Sequence, residues 1–538
     1  MGENIPDIIV IGGGSAGVAC AARLAQAGKR VLLVEAGKSD NSLKSRVPAL
    51  MGSLVQNPEW DWCYMAEPDA SVGGRPDVWP AGKRLGGGSA INGMMFIRGH
   101  AWDYDHWAEL GAQGWDYASV LPYFRRLEDN ERGEDEWRGK GGPISVSEIR
   151  SRYAVTDRWM DAVAEAGFPR SKDLNGERAE GVDLIQLSQR GGLRCSSARG
   201  YLANRPANLE VMLDAEVLRV DVENGRAAGV TVRRDGQAQA LRAAEGVVLS
   251  AGALNTPRLL MLSGVGPTEH LREHGIGVIA DLPGVGSNLQ EHPGCHLVNE
   301  VSARTLNDDS KGMAGFKQLL SLLFARSGAL TTGIGHAQAF VKSRESLPAP
   351  NLQIAFSAFA FDVTPQGNLA LRDTASVASF VALMRPSSRG RITLRSPDPA
   401  DKPKIEHQLL GNEDDAAQLV EGLEIARRIM RQPAIAPFVT GEVRPGAGAD
   451  SAEALAGYVR AATIPMFHPV GTAKMGAADD SMAVVDPDLR VRGVEGLWVA
   501  DASVMPTIPQ GNTNATAIMI GDKASDHVLK TARVGVAA

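Results

Sequence analysis

Gly12, Gly14 and Gly17 stand at the spacing G-x-G-x-x-G in this 538-residue chain. Glycines so placed let backbone N–H groups close on a pyrophosphate. Gly12 permits a tight turn out of a strand, Gly14 admits the phosphates, and Gly17 allows a helix to lie close on that strand. Glu35 follows 18 residues past Gly17, where a carboxylate can accept from ribose hydroxyls. Ala16 and Ala36 flank these positions. The same loop also spells Gly13-Gly14-Ser15-Ala16-Gly17, the G-x-S-x-G of a nucleophile elbow, which would make Ser15 the nucleophile of a hydrolase. The terminal acid at Glu35 favours nucleotide binding over that alternative.

A loop of this kind works only between a strand and a helix. Residues 8–11 are a β-branched run that reads as a buried parallel strand, and 18–27 are Ala-rich helix formers ending at Gly28. Residues 31–34 are a second apolar strand delivering Glu35 at its end. A second glycine-rich stretch covers residues 82–98, with Gly86, Gly87, Gly88 and Ser89 followed by apolar residues, another place for close backbone approach. Trp60, Trp62 and Tyr64 are expected to pack beneath the intervening loop. Helices are expected over 104–127 with a turn at Gly114, and over 158–167, 414–430 and 515–529. A strand meander is expected over 209–241, beginning at Val211 and turning at Asn224-Gly225 and Asp235-Gly236. Apolar strands are expected at 247–250 and 497–501. Alternation over 351–394 suggests an antiparallel sheet in another domain. Since βαβ pieces lie at both ends, one nucleotide domain must be assembled from separated segments.

Composition is that of a globular protein, 44% hydrophobic and 22% charged. Its 60 glycines exceed the usual share of about 7%. A net charge of −7 gives no reason to expect nucleic acid as a partner. Cys20, Cys63, Cys195 and Cys295 are scattered without C-x-x-C spacing and read as reduced thiols, with no metal set. The first strand begins within a few residues of Met1, and no apolar run has the length of a membrane span. A soluble cytoplasmic protein without membrane insertion is expected.

Taken in order, the glycine loop and residues 82–98, 252–266, 468–476 and 499–526 resemble the glucose–methanol–choline (GMC) oxidoreductases, flavoenzymes that oxidise alcohols. The resemblance spans residues 6–529. It implies an α/β fold, α+β overall, in which a Rossmann-like FAD-binding domain (1–153, 207–300 and 463–538) carries a substrate-binding domain on an antiparallel sheet flanked by helices (154–206 and 301–462). Gly12, Gly14, Ser15, Ala16, Gly17, Glu35 and Ala36 would hold the ADP half of FAD. Arg84, Gly86, Gly87, Ser89, Asn92 and Gly93 match the block lining the pyrophosphate and isoalloxazine. Val217 matches the adenine position, and Asp501, Ala502, Asn512 and Thr513 match the ribityl and flavin end. Some relatives carry a flavin-linked histidine where this chain has Ile91, so FAD is expected to be noncovalent.

His468 opens one of these blocks and matches the base that removes the alcohol proton as hydride passes to flavin N5. Asn512 matches a partner that hydrogen-bonds the substrate oxygen. His100, His106, His292 and His336 are expected to be structural. Met466 and Phe467 would form an apolar wall, with Phe359 and Phe361 as further pocket candidates. Phe356 and Leu383 are better suited to core packing. The resemblance favours a primary alcohol going to an aldehyde, with oxygen or another acceptor taking the electrons. Choline-type and sorbose-like alcohols are the alternatives, although no cluster of acids and aromatics stands out to cage a quaternary ammonium group.

Overall fold

The computed structural model describes residues 5–363, 369–446 and 448–534. Strand β1 (Ile8–Ile11) is buried along its whole length, as a parallel strand covered on both faces must be. It runs into helix α1 (Ser15–Gln26) and on to strand β2 (Val31–Val34). These three elements seed a five-stranded parallel sheet in the order Leu209–Met212, β2, β1, Gly246–Leu249, Leu497–Val499. β1 sits at the centre, so its C-terminal end opens where ligands bind in such sheets. The closing helix Asn514–Val534 packs against α1. An ion pair from Arg23 to the buried carboxylate of Asp522, 2.8 Å long, joins the two helices, and Tyr201 donates to the same carboxylate at 2.9 Å.

The expected meander has three strands, Glu216–Glu223, Arg226–Arg234 and Gln237–Arg242. Both turns have positive φ at each central residue: 50° and 79° at Asn224 and Gly225, 51° and 77° at Asp235 and Gly236. That geometry suits the right-handed twist of the strands it joins. Val211 is not part of the meander. Leu209–Met212 pairs in parallel with β2 as the edge of the first sheet. An edge strand is partly exposed much as an antiparallel strand is, so local pattern could not name its partner.

A second sheet is antiparallel, in the order Val439–Arg444, Pro293–Val301, Ser376–Leu383, Leu352–Ser357, Ala337–Val341, Gly181–Leu184. The strand Arg391–Thr393 lies apart from it and pairs with Lys404–Glu406. Helix Glu413–Met430 lies on one face, approaching so closely that a Cβ on Gly422 would stand 2.6 Å from Val381. Trp159, on the helix Ala154–Glu165, stacks on Phe356 with centroids 4.9 Å apart. Phe356 and Leu383 are therefore core residues. Cys20, Cys195 and Cys295 are buried thiols, and Cys63 is partly exposed. Among the described residues, no helix is long and apolar enough to cross a membrane.

Gly17 tests how tightly the first unit is built, since a Cβ there would lie 2.0 Å from the Gly12 carbonyl oxygen. Gly17→Ala is expected to cost about 3 kcal/mol, read as a lower midpoint in chemical unfolding. Gly52→Ala, where a Cβ meets nothing within 4 Å, should stay within about 0.5 kcal/mol of the parent.

Candidate active site

An elongated cavity opens at the C-terminal end of β1. Gly12, Gly14, Ser15, Ala16, Glu35, Ala36, Gly87, Val217, Asp501, Ala502 and Phe467 all line it. Gly12 has φ +95°, and a Cβ on it would meet the Ser250 carbonyl oxygen at 2.4 Å. Gly14 precedes α1 with no side-chain cap, leaving the helix N–H groups free for an anion. Across the cavity mouth, Gly86 donates its N–H to Gly13 O at 2.6 Å. A Cβ on Gly87 would stand 2.7 Å from Gly14 Cα. The two glycine loops are thus pressed backbone to backbone.

Glu35 is buried, and burial pushes its carboxyl above the ordinary range. It accepts from Gly13 N at 2.8 Å and Gly37 N at 2.7 Å, which aims its remaining lone pairs at the cavity. Asp501 is likewise buried and raised, first by desolvation. Its carboxylate accepts from Gly252 N (2.8 Å), Thr256 Oγ1 (2.6 Å) and Ser503 N (2.8 Å), tying the 252–266 segment to the last strand. Ser15 Oγ donates to Asn514 Oδ1 at 2.6 Å. That partner is an amide and no base, so Ser15 has no means of becoming a nucleophile.

The remaining cofactor candidates do not line the cavity. Arg84 stacks on Trp60, its guanidinium 4.0 Å from the ring centre. Ser89 accepts from Ser197 N at 3.0 Å. Asn92 Oδ1 accepts from Met94 N (3.1 Å) and Arg194 Nη1 (2.8 Å). Gly93 leaves room for Ile334, whose Cγ2 would be 2.8 Å from a Cβ there. Gly17 serves packing, and Thr513 is buried. Trp60 and Tyr64 are buried as expected, whereas Trp62 lines the cavity. Sequence reasoning passed over Ser250, Asn255 and Arg258 of the same lining. Their signal was the Ala251-Gly252 pair closing a buried strand, the same strand-to-glycine turn as at Gly12.

The far end of the chain brings His468 and Asn512 together, with His468 Nε2 and Asn512 Nδ2 3.0 Å apart. His468 Nδ1 lies 3.1 Å from His292 Nδ1, and His292 Nε2 lies 3.2 Å from Met384 O. A carbonyl can only accept, so His292 carries its proton on Nε2 and presents a lone pair at Nδ1. His468 must then carry its own proton on Nδ1, leaving Nε2 as the free base facing Asn512. Burial lowers the His468 pKa to about 4, and holds His292 well below its usual value. Asn512 Oδ1 is a buried acceptor without a hydrogen-bond partner among the described residues.

Glu291 anchors this pair from below. It accepts from His468 N at 2.7 Å and from His292 N at 2.8 Å, and burial drives its carboxyl well above the carboxylate range. Phe467, next to His468, has φ +66°, a strained setting for a bulky residue. It is 41% exposed and projects along the cavity. Met466 packs beside Ile97, Leu174, Phe340 and Met384. Phe359 and Phe361 stand edge to face, 5.3 Å apart, Phe359 buried and Phe361 at the surface, outside the cavity lining. Glu291 and His292 were not among the sequence candidates. Their signal was a Glu-His pair ending the glycine-rich run 284–292.

A family model for GMC oxidoreductases matches residues 6–294, and a second matches residues 386–521. The chain belongs to the GMC oxidoreductase family. It is accordingly an FAD-dependent oxidoreductase acting on CH–OH donors. The oxygen-dependent choline dehydrogenase of Brucella ovis is 39% identical over 531 residues, 97% of this chain and 95% of that one. That of Rhizobium etli is 39% identical over 532 residues, with the same coverage. Pyridoxine 4-oxidase from Mesorbium loti superposes with a TM-score of 0.87 at 28% identity, over 97% and 98% of the two chains. Formate oxidase from Aspergillus oryzae, in its R554K form, gives 0.90 at 27% identity over 98% of each. The site fits FAD on its own terms, since the uncapped N-terminus of α1 and the buried carboxylate of Glu35 line the same cavity, donors for a pyrophosphate beside an acceptor for ribose.

The lowered His468 pKa predicts a pH profile. A histidine acting as base must be neutral to accept a proton, so with His468 in that role activity is complete above the pKa and is lost as pH falls through it. The acid limb of kcat/KM should therefore lie near 4, where burial places it, instead of near 6.5. Stopped-flow flavin reduction across the acid range checks this; a limb at the ordinary histidine value would contradict it.

Proposed function

We propose that the protein oxidises a primary alcohol to an aldehyde on noncovalently held FAD, with His468 as base and Asn512 as the group that holds the substrate oxygen. The supporting observation is the hydrogen-bonded series from Met384 O through His292 and His468 to Asn512, which leaves His468 Nε2 as an acceptor. Bound FAD supplies the hydride acceptor. His468 Nε2 takes the hydroxyl proton, because an alcohol donates hydride readily only as its alkoxide. Asn512 Nδ2 then turns its N–H to the alkoxide oxygen and offsets the charge without competing for the proton. Burial serves the same end by keeping His468 neutral before substrate arrives.

Noncovalent attachment is supported by Ile91, which has no nucleophile and packs against Leu54, Trp60 and Ala90. The parallel sheet supports the division into FAD-binding segments (1–153, 207–300 and 463–538) and substrate-binding segments (154–206 and 301–462), since all five of its strands fall in the first set; the Pro293–Val301 strand and the pairing of Ile144–Ser147 with Leu187–Arg190 join the two sets. Met466 and Phe467 flank the base and favour an apolar group beside the reacting carbon. Electrons leave to oxygen or another acceptor. Choline is the second reading, favoured by choline dehydrogenases at 39% identity over nearly the whole chain.

His468→Ala is expected to lower flavin reduction by about 10²- to 10⁴-fold with FAD still bound. Asn512→Ala should lower it by about 10²-fold. Unchanged reduction in the histidine variant would remove the base assignment. An anaerobic panel of primary alcohols that includes choline, followed by admission of oxygen, reports substrate and acceptor together. Acid precipitation should leave the flavin in the supernatant; a yellow pellet would mean a covalent link.

A further inference from the structure

A second cavity of about 350 Å³ shares no lining residue with the first. Arg46, Arg190, Arg194 and Arg199 line it beside Leu193 and Cys195. Arg199 pairs with Asp40 at 3.0 Å. The other three have neutral partners or none. Arg190 donates to Ser145 Oγ (2.9 Å) and Pro143 O (3.2 Å). Asp129 is the next carboxylate in reach of Arg190, but it pairs with Lys140 at 3.1 Å. Among the described residues, Arg46 has no ion pair.

Arg194 is the decisive group. It is 3% exposed. It donates from Nε to Ser45 O (2.8 Å) and from Nη1 to Ser89 O (3.1 Å) and Asn92 Oδ1 (2.8 Å). Its Nη2 is buried with no partner. Burial, with Arg199 adding repulsion, lowers its pKa to about 9. Its hydrogen bonds all go to neutral dipoles, and the nearby carboxylate of Asp40 is already paired with Arg199, so this guanidinium is costly to bury until a further anion completes it. The planar N–H fork matches the oxygens of a phosphate.

We infer that this cavity binds a phosphate dianion, free or as the end of a phosphomonoester, between the guanidiniums of Arg194, Arg190 and Arg46. Arg194 also grips Ser89 and Asn92, so the anion braces the turn behind the first glycine contact. That second consequence rests on the reading that this turn supports FAD. Anion and FAD should then each strengthen the other's binding, as linkage requires.

Calorimetric titration of the FAD-loaded protein tests the site, with inorganic phosphate in one arm and glycerol 3-phosphate in the other, at ionic strength held constant with chloride. Saturable binding is expected, weakened about tenfold or more in Arg190→Ala and in Arg46→Ala. Both side chains are partly exposed, so neither substitution should disturb folding. Tighter binding of glycerol 3-phosphate identifies a phosphomonoester; equal or weaker binding identifies free phosphate. Absence of saturable heat in both arms, or undiminished binding in both variants, overturns the site. For the coupling, phosphate should slow FAD release from the parent and not from Arg190→Ala; equal slowing in both refutes it. If the protein holds no FAD, its flavin absorbance reports that separately, and the titration still reads the anion site.

Discussion

Backbone meets backbone without an intervening side chain at the centre of this molecule. Gly12 lies against Ser250, Gly17 against Gly12, and Gly87 against Gly14, each with less room than one methyl group needs. Glycine carries an entropic cost in the unfolded chain, and what it returns here is proximity. The parallel sheet, the helix beginning at Ser15 and the second glycine loop converge on one line of exposed N–H groups. Segments hundreds of residues apart in sequence meet along it, so the cavity exists only once the sheet is assembled.

The chemistry is placed by a different force. His468 and Asn512 stand in a region where burial sets protonation, and where a carbonyl at Met384 decides which nitrogen of each imidazole carries hydrogen. Glu291 pins the backbone beneath them and holds Phe467 in a conformation it would not otherwise adopt. Desolvation keeps the base neutral, and the same low polarity strengthens the hydrogen bonds that orient it. The two sites are thus built from opposite materials, bare backbone in one and enclosed polar side chains in the other.

Much of this was legible before any coordinates. The first βαβ unit, both hairpin turns and the long helices follow from periodicity and from where glycine interrupts it. The five separated motifs named the family and pointed to His468 and Asn512. Other features were not readable. Leu209–Met212 is partly exposed like a meander strand yet serves as the edge of the parallel sheet, because partial exposure says nothing of the neighbour. His292 read as one more structural histidine, since only proximity reveals that its lone pair faces His468. Asp501 matched a flavin block, and its observed hydrogen bonds tie distant backbone segments together.

The amino-acid sequence by itself determined the family, the FAD-type fingerprint and the choice of His468 and Asn512 as the candidate catalytic pair. Spacing within a strand–turn–helix is a local property, carried wherever that short segment goes. Tertiary structure alone decided the tautomer of His468, its lowered pKa and the unpartnered nitrogen of Arg194. Protonation and burial depend on every neighbour at once, and those neighbours arrive from positions that no local spacing connects.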